Sequence, residues 1–256
     1  MILAALLALS LAPFHASVQT EVRTAYQSRG KIVEDRPIQV LDTRAYFDFE
    51  DFGRVGCWYW NYSSWTGRRQ HVHRRMFNES DVFAYWEYDW KIAQDWTLCN
   101  HFSHLWVGLP GYKPGKEVQN TKEWWYIASL KNPYIVPSLL MRRGWDNDHW
   151  IYFQPGLSKP LEICSGLVFT PGVFTEICDP HLYDLRYGDK PDGTSYRAGF
   201  VSVIGQLALD WSVSENFSLF MKLQQFGLVD RDAREQAHAP NRRDLTILTV
   251  GGRLSF

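Results

Sequence analysis

Apolar and polar residues alternate along most of the chain in blocks of about ten residues. In residues 82–92 the even positions hold Val, Ala, Trp, Tyr, Trp and Ile, whereas the odd positions include Glu87, Asp89 and Lys91. Successive side chains of a β-strand point to opposite faces, so this period predicts strands with one apolar face. The blocks predict twelve strands, beginning near residues 18, 37, 53, 82, 96, 123, 134, 148, 161, 195, 216 and 245.

The connections between these blocks alternate in length. Short links fall at residues 48–52, 93–95, 131–133, 158–160 and 214–216, and the links between them are longer and polar. A soluble β-sandwich has no reason to sort its loops in this way, whereas an outer-membrane barrel has short periplasmic turns and longer extracellular loops. We therefore predict an all-β fold: a single antiparallel up-and-down transmembrane β-barrel of about 12 strands, spanning residues 18–256.

The last eight residues, TVGGRLSF, continue the alternation to the end of the chain. An even number of strands places both termini on the periplasmic side, where Phe256 would lie in the aromatic girdle. A terminal Phe behind alternating apolar residues resembles the assembly signal of bacterial outer-membrane barrels. The resemblance implies that Phe256 and Leu254 are read by the barrel-assembly machinery.

A second resemblance covers the first three predicted strands. Residues 26–64 are similar to the opening of the TorF-type porin family, at positions Tyr26, Arg29, Gly30, Pro37, Gln39, Gly53, Gly56, Trp58 and Ser63. Beyond this segment, only the strand rhythm and the C-terminus match. The resemblance implies an outer-membrane barrel, and the family has little settled function to transfer.

Composition supports a membrane barrel. Aromatic residues make up 16% of the chain, with 12 Trp and 13 Tyr, and the mean hydropathy is only −0.31. Alternating lipid-facing and lumen-facing residues give such an average, while no run outside the N-terminus approaches the ~20 apolar residues of a transmembrane helix. The net charge of −1 gives no reason to expect a nucleic-acid partner.

The N-terminus predicts export. An apolar run at residues 2–11 is followed by small residues, so we expect residues 1–17 to be a signal peptide, with a buried N-terminal helix as the alternative. No Lys or Arg follows Met1, and the cleavage position is not defined by the sequence. The expected location of the mature protein is the bacterial outer membrane.

No cofactor or metal site is predicted. The four cysteines at positions 57, 99, 164 and 178 show neither CxxC nor Cys/His ligand spacing and are interpreted as structural. His71 and His73 could share a metal, but no carboxylate or cysteine cluster accompanies them.

The polar face of the strands should line the barrel lumen. Its expected members are Asp42, Arg44, Glu87, Asp89, Lys91, Glu162, Asp210, Lys222, Gln224 and Arg253. A buried charge needs a partner or water, so these residues indicate either a hydrated channel or a closed lumen braced by ion pairs. Twelve strands lie between the ~8 that fill with side chains and the ~16 of open porins, so width does not decide.

One predicted outer loop is strongly basic. It contains Arg68, Arg69, Arg74 and Arg75, and arginine forks suit carboxylate, sulfate or phosphate. The loop could capture anionic solutes at the outer mouth, or it could bind lipopolysaccharide or simply be solvated.

The sequence thus favours a porin-like channel for small hydrophilic, anionic solutes. The alternatives are a structural or adhesive barrel with a closed lumen and, third, a lipid hydrolase. For the last, the nearest candidate set is His101, Ser103 and His104, which lies in no known nucleophile context. We therefore expect no enzyme activity. Expected partners are outer-membrane lipid, lipopolysaccharide and small solutes, and the oligomeric state is open.

Overall fold

The computed structural model describes residues 12–29, 31–65, 78–108, 121–145, 149–187, 194, 196–236 and 243–256. Its strands are β1 (Phe14–Arg23), β2 (Tyr26–Ser28), β3 (Lys31–Glu34), β4 (Ile38–Phe49), β5 (Gly53–Ser64), β6 (Glu79–Ala93), β7 (Trp96–Gly108), β8 (Thr121–Lys131), β9 (Val136–Gly144), β10 (Ile151–Ser158), β11 (Leu161–Cys164), β12 (Leu167–Cys178), β13 (Gly199–Ser212), β14 (Phe217–Leu228) and β15 (Asp244–Ser255).

Twelve of these strands form a closed antiparallel barrel, which confirms the predicted fold. Neighbours in the chain are neighbours in the sheet, β1 pairs with both β4 and β15, and the pairing of β10 with β12 closes the ring. The strands β2 and β3 form a separate hairpin between β1 and β4. Since a closed barrel has no free edge, every barrel strand can exchange backbone hydrogen bonds on both sides.

The two ends of the barrel differ in their connections, as predicted. Short turns join β4 to β5, β6 to β7, β8 to β9 and β13 to β14 at the end that also holds both described chain ends. The longer connections all leave the opposite end. We call these the short-turn end and the long-loop end.

The predicted turn at residues 158–160 and the strand start predicted near residue 161 were wrong. Residues 158–160 are not a turn, because β10 and β11 both pair with β12 and Lys159 donates its N–H to the Pro171 carbonyl. Pro160 has no N–H to donate, so it interrupts the ladder without reversing the chain. The reversal occurs at residues 165–166, where Gly166 has φ +79°, a region that favours glycine. The next barrel strand therefore begins at Leu167.

Strand β1 begins at Phe14, four residues before the predicted barrel start at residue 18. The other predicted starts lie within four residues of those observed. Residues 1–11, which hold the apolar part of the predicted signal peptide, lie outside the described residues.

The described parts of the long-loop connections contain two short helices. Helix α1 (Pro180–Tyr187) follows β12, and α2 (Arg231–Gln236) follows β14. Asp179 and Asp230 cap them, each accepting a backbone N–H at 2.8 Å, from Leu182 and Ala233. In the described part of the chain, no helix is long and apolar enough to span a bilayer.

The interior changes character along the barrel axis. The long-loop half contains two buried clusters: Ile38, Val40, Trp60, Tyr62, Phe83, Leu105 and Val107 on one side, and Trp150, Tyr152, Cys178, Leu182, Tyr183, Tyr196, Val201, Ile204, Phe226, Leu228 and Ala233 on the other. In this half, therefore, apolar and aromatic side chains line the interior where a polar face was expected. The short-turn half keeps a polar inner face.

Candidate functional site in the barrel lumen

The first long connection folds into the barrel. Its hairpin, β2–β3, places the Tyr26 ring 5.5 Å from the ring of Trp60 and 5.0 Å from that of Tyr62. Arg29 at the tip has φ +53°, an uncommon conformation for a residue other than glycine. The hairpin is thus packed on the aromatic cluster of β5.

Two carboxylates of the wall hold the hairpin. Arg29 forms an ion pair with Glu123 of β8, and the Gln27 amide donates to both oxygens of Glu176 on β12 at 2.8 Å. Glu123 is 0% exposed and Glu176 1%. A carboxylate buried to this degree is costly unless it is paired and hydrogen-bonded, so the hairpin completes both sites.

Wall residues complete the partners of each carboxylate. Glu123 accepts the Trp125 indole N–H at 2.8 Å. Glu176 accepts the Tyr152 hydroxyl at 2.6 Å and the Ser202 hydroxyl. These bonds from the wall hold both carboxylates in place independently of the hairpin contacts.

The hairpin residues Tyr26 and Arg29 each keep one protonation state. Burial raises the pKa of the Tyr26 hydroxyl, and nearby Glu79 and Asp81 raise it further, so Tyr26 stays a neutral donor. Burial opposes the charge on Arg29, but Glu123, Tyr26, Glu79 and Asp81 together outweigh it, and the pKa of Arg29 is raised. Arg29 therefore remains a cation at any ordinary pH.

A cavity of about 240 Å³ lies between the hairpin and the wall. It is lined by aromatic rings and by charges of both signs: Arg23, Tyr26, Gln27, Ser28, Arg29, Asp42, Trp58, Trp60, Glu79, Asp81, Phe83, Trp125, Arg142, Tyr152, Gln154 and Glu176. The mixture provides surfaces for the apolar side of a solute and groups for its polar side.

Arg142 is the unusual cation of this cavity. Its guanidinium lies 3.9 Å from the centre of the Trp125 ring and 5.4 Å from that of Tyr152. Its Nε is buried without a hydrogen-bond partner, and no described carboxylate lies within salt-bridge distance. By contrast, Arg23 and Arg29 are paired with Glu21 and Glu123.

A second group in the cavity also lacks a partner among the described residues. The buried Oδ1 of Asp81, on β6, accepts no hydrogen bond there. Together, Arg142 and Asp81 offer one donor site for an anion and one acceptor site for a hydroxyl or amine.

Most predicted lumen residues lie on the inner face of their strands, toward the short-turn end: Asp42, Arg44, Glu87, Asp89, Lys91, Asp210, Lys222, Gln224 and Arg253. Asp42 is 3.4 Å from Arg44, Gln224 donates to Gln206 at 3.1 Å, and Arg253 donates to Gln19 at 2.7 Å. These short contacts leave a wall with interleaved charges.

Glu162 shares the sheet face of Val168 and Asp210 but lies beyond the barrel wall. It lies on β11, whose residues are all exposed and which pairs with β12 alone. This hairpin extends past the start of β9, so Glu162 belongs to the rim and not to the lumen wall.

The sequence interpretation missed Arg54, which organises the acidic residues of β6. Its guanidinium lies 3.4 Å from Glu87 and 3.3 Å from Asp89, and Glu87 also contacts His101 Nδ1 at 2.9 Å. Arg54 is directly opposite Glu87 in the β5–β6 register.

The hairpin contacts were missed as well. Arg142 stands next to Arg143, and Glu123 precedes the adjacent pair Trp124 and Trp125, so alternation alone did not assign the faces of these strands. Nothing in the sequence pattern indicated that Gln27 and Arg29 turn inward.

Several residues named in the sequence analysis lie outside the described residues or away from the lumen cavity. Arg68, Arg69, Arg74 and Arg75 lie outside the described residues, as do His71 and His73. Leu254 faces outward, and Phe256 is exposed while exchanging two backbone hydrogen bonds with Ala16, at 2.8 and 3.1 Å. All four cysteines are free thiols. The described residues contain no group of three or more His, Cys, Asp or Glu placed to hold a metal.

The residues considered for catalysis do not converge. His101 and Ser103 face inward, where Glu87 binds His101, whereas His104 faces outward among Trp106, Trp124 and Trp145.

Comparison with solved structures shows the fold of outer-membrane barrels. An outer-membrane channel of Pseudomonas putida F1, COG4313, aligns with TM-score 0.61 and 11% identity, covering 96% of each chain. The KdgM porin aligns with TM-score 0.50 and 9% identity, covering 94% of this chain and 99% of that one. The same porin solved with disordered oligogalacturonate gives TM-score 0.50 at 11% identity. No family model and no curated protein matches the sequence.

Proposed function

We propose that this chain is an outer-membrane porin-like channel for small hydrophilic, anionic solutes, with the β2–β3 hairpin as its constriction. The observation that carries the proposal is Arg142. It is a cation in a lumen cavity, it forms no salt bridge with a described carboxylate, and its guanidinium lies over the rings of Trp125 and Tyr152. A guanidinium stacked on aromatic rings keeps its edge for a planar anion.

Four other charged residues of the cavity have partners, and two of these are Arg23 and Arg29, paired with Glu21 and Glu123. Glu176 accepts from Gln27, Tyr152 and Ser202, and Asp42 is paired with Arg44. A carboxylate at Arg142 would therefore meet one cation without displacing an internal partner. Asp81 can accept from a hydroxyl of the same solute. Small hydroxylated carboxylates combine these two features.

The fold supports the outer-membrane location. The similar solved structures named above are porins and channels, and one was solved with oligogalacturonate, which agrees with an acidic hydroxylated solute. With short turns on the periplasmic side, the long-loop end faces outward. The resemblance of residues 26–64 to the TorF-type porin family supports the same proposal, since this segment supplies the hairpin.

A structural barrel with a closed lumen is the second candidate. The observation that favours it is the hairpin itself, because its contacts with Glu123 and Glu176 are buried. We propose no catalytic role, because His101 and His104 lie on opposite faces of β7.

Planar-bilayer recording separates the two candidates. The purified barrel should show discrete conductance steps, and added galacturonate should interrupt the current, while neutral galactose should do so much less. Arg142→Gln should remove most of the difference between the two sugars. The control Arg253→Gln removes a lumen arginine outside the cavity and should preserve the difference between galacturonate and galactose.

Silent bilayers would favour the structural barrel. Equal effects of galacturonate and galactose on the unmodified channel would contradict the anion preference. An unchanged difference in Arg142→Gln would show that the solute site lies elsewhere.

A further inference from the structure

The outer wall of β7–β9 carries an aromatic–basic patch at the long-loop end. It consists of His104, Trp106, Lys122, Trp124, Arg143 and Trp145. Trp106 is paired with Lys122, and His104 with Trp124, which in turn pairs with Arg143. The residues therefore form two adjacent rows across three strands.

The three indoles of the patch are exposed on the barrel surface. Trp106, Trp124 and Trp145 are 43%, 49% and 45% exposed, and Arg143 is exposed beside them. Their rings surround His104, with centroid distances of 4.2, 4.4 and 5.8 Å. The buried Nδ1 of His104 has no hydrogen-bond partner in the described structure.

The two cations set this patch apart from the rest of the outer wall. On the other described barrel strands, the outward positions near the long-loop end hold no Lys or Arg; they include Val22, Gln39, Ser63, Val82, Phe153, Thr175, Val203, Gln225 and Thr246. A charge facing hydrocarbon would be expensive, so Lys122 and Arg143 mark the level of polar headgroups.

We propose that this patch binds the phosphate groups of lipopolysaccharide in the outer leaflet. The proposal rests on the proposed outer-membrane location, which places the long-loop end in that leaflet. Arg143 and Lys122 supply charge-assisted donors for phosphate. The indoles of Trp106, Trp124 and Trp145 occupy the interface between acyl chains and headgroups, where amphipathic rings are favoured.

The proposal predicts that lipopolysaccharide binds on one side of the barrel only. The patch covers three of the twelve strands, so a lipid bound there would sit at a fixed position on the barrel. A general attraction between anionic lipid and a basic protein would show no such preference, and the chain as a whole has a net charge of −1.

The test uses the full mature barrel refolded in detergent without lipopolysaccharide. Purified lipopolysaccharide, its dephosphorylated form and phosphatidylglycerol are each titrated, and bound lipid is counted by native mass spectrometry. Lipopolysaccharide should bind with a stoichiometry near one and raise the temperature at which the folded gel band is lost. The double variant Lys122→Gln, Arg143→Gln should bind it about tenfold more weakly, or worse.

The control variant Lys91→Gln, Lys131→Gln removes two exposed lysines at the short-turn end, so its net charge changes equally. It should bind like the unmodified barrel. If the patch double variant fails to fold, the single variant Arg143→Gln is measured in its place, since this side chain is exposed.

Several results would overturn the proposal. Equal binding of dephosphorylated lipopolysaccharide would show that the patch does not recognise phosphate. Equal binding of phosphatidylglycerol would show that the patch is not selective for lipopolysaccharide. Equal weakening in the control variant would show a general charge effect. A lipid-free dimer that the patch variant abolishes would assign the patch to a second copy of the chain. The lipid-binding test does not use conductance, so its result is independent of whether the barrel is a channel.

Discussion

Arg29, in the hairpin after β1, is ion-paired with Glu123 on β8, which lies nearly opposite β1 in the ring of twelve strands. Gln27 of the same hairpin contacts Glu176 on β12, further around the ring. The first long loop thus crosses the lumen and is attached to two distant parts of the wall. Any solute that passes through the barrel has to move past this hairpin or displace it.

Arg29→Ala should therefore open the barrel. Removing one partner of a buried pair leaves Glu123 uncompensated, which costs about 3–5 kcal/mol unless water reaches the carboxylate. The less costly response is for the hairpin to leave, so we expect larger conductance steps and faster proteolysis within residues 24–37. Single-channel recording and limited proteolysis measure the two effects.

The matched control is Arg231→Ala, which breaks a surface ion pair with Glu235 on α2 at 2.9 Å. Its side chain is 90% exposed, so little should change. Adding Glu123→Gln to Arg29→Ala removes the unpaired charge and should restore part of the lost stability. Unchanged conductance in Arg29→Ala would mean that the hairpin is not the constriction.

Gly56 should be indispensable for the packing of the lumen. A Cβ at this position would lie 2.3 Å from the Ala45 carbonyl oxygen and 2.9 Å from the ring of Tyr85. Backbone cannot retreat from such a contact without breaking the β4–β5 ladder, so Gly56→Ala should lower the temperature at which the folded gel band is lost, or prevent folding.

Gly205→Ala is the comparison for this substitution, because no atom lies within 4 Å of a Cβ added there. It should fold normally, and the added methyl would slightly restrict the unfolded chain. If both variants folded with equal stability, the close approach at Gly56 would have no role.

The sequence predicted the barrel well because period-two alternation is enforced wherever one face meets lipid. In β13, Val203, Leu207 and Trp211 are exposed outward and Gln206 faces inward, as the pattern required. The alternating loop lengths predicted which connections lie at each end of the barrel. These signals are local in sequence, so no long-range contact was needed to read them.

The lumen site was less predictable because its inner face is aromatic. In β5, Trp58 and Trp60 point inward next to Tyr59, so both faces of the strand contain aromatic residues and the period carries little information. The partners of the hairpin are separated from it by 94 residues for Arg29 and Glu123, and by 149 for Gln27 and Glu176. Only the closed ring brings them together.

Deleting Phe256 should impair assembly. Its backbone exchanges two hydrogen bonds with Ala16, which extend the β1–β15 seam by one pair, and its ring is exposed at the short-turn end. We expect less folded barrel in the membrane and more degraded chain, measured by the heat-shifted gel band in membrane fractions. Phe256→Tyr keeps an aromatic ring and the backbone and should behave normally. Equal amounts of folded barrel in the deletion variant would contradict a role in assembly.

Ion selectivity should depend on salt if the basic loop of residues 68–75 acts at the outer mouth. The short-turn half of the wall mixes Asp and Glu with Arg and Lys at close range, so its own preference should be weak. The field of Arg68, Arg69, Arg74 and Arg75 would reach about 30 Å at 0.01 M salt and about 8 Å at physiological salt. We therefore expect an anion preference at low salt that largely disappears at high salt.

Replacing these four arginines with Gln should erase the low-salt preference and leave the barrel folded. Reversal potentials across a salt gradient, at two mean concentrations, measure it. Lys131→Gln with Lys159→Gln removes cations at the opposite end and should keep most of the low-salt preference, because it leaves the four arginines at the outer mouth unchanged. Cation preference in the unmodified channel, or an unchanged preference in the quadruple variant, would leave selection to the lumen cavity and Arg142.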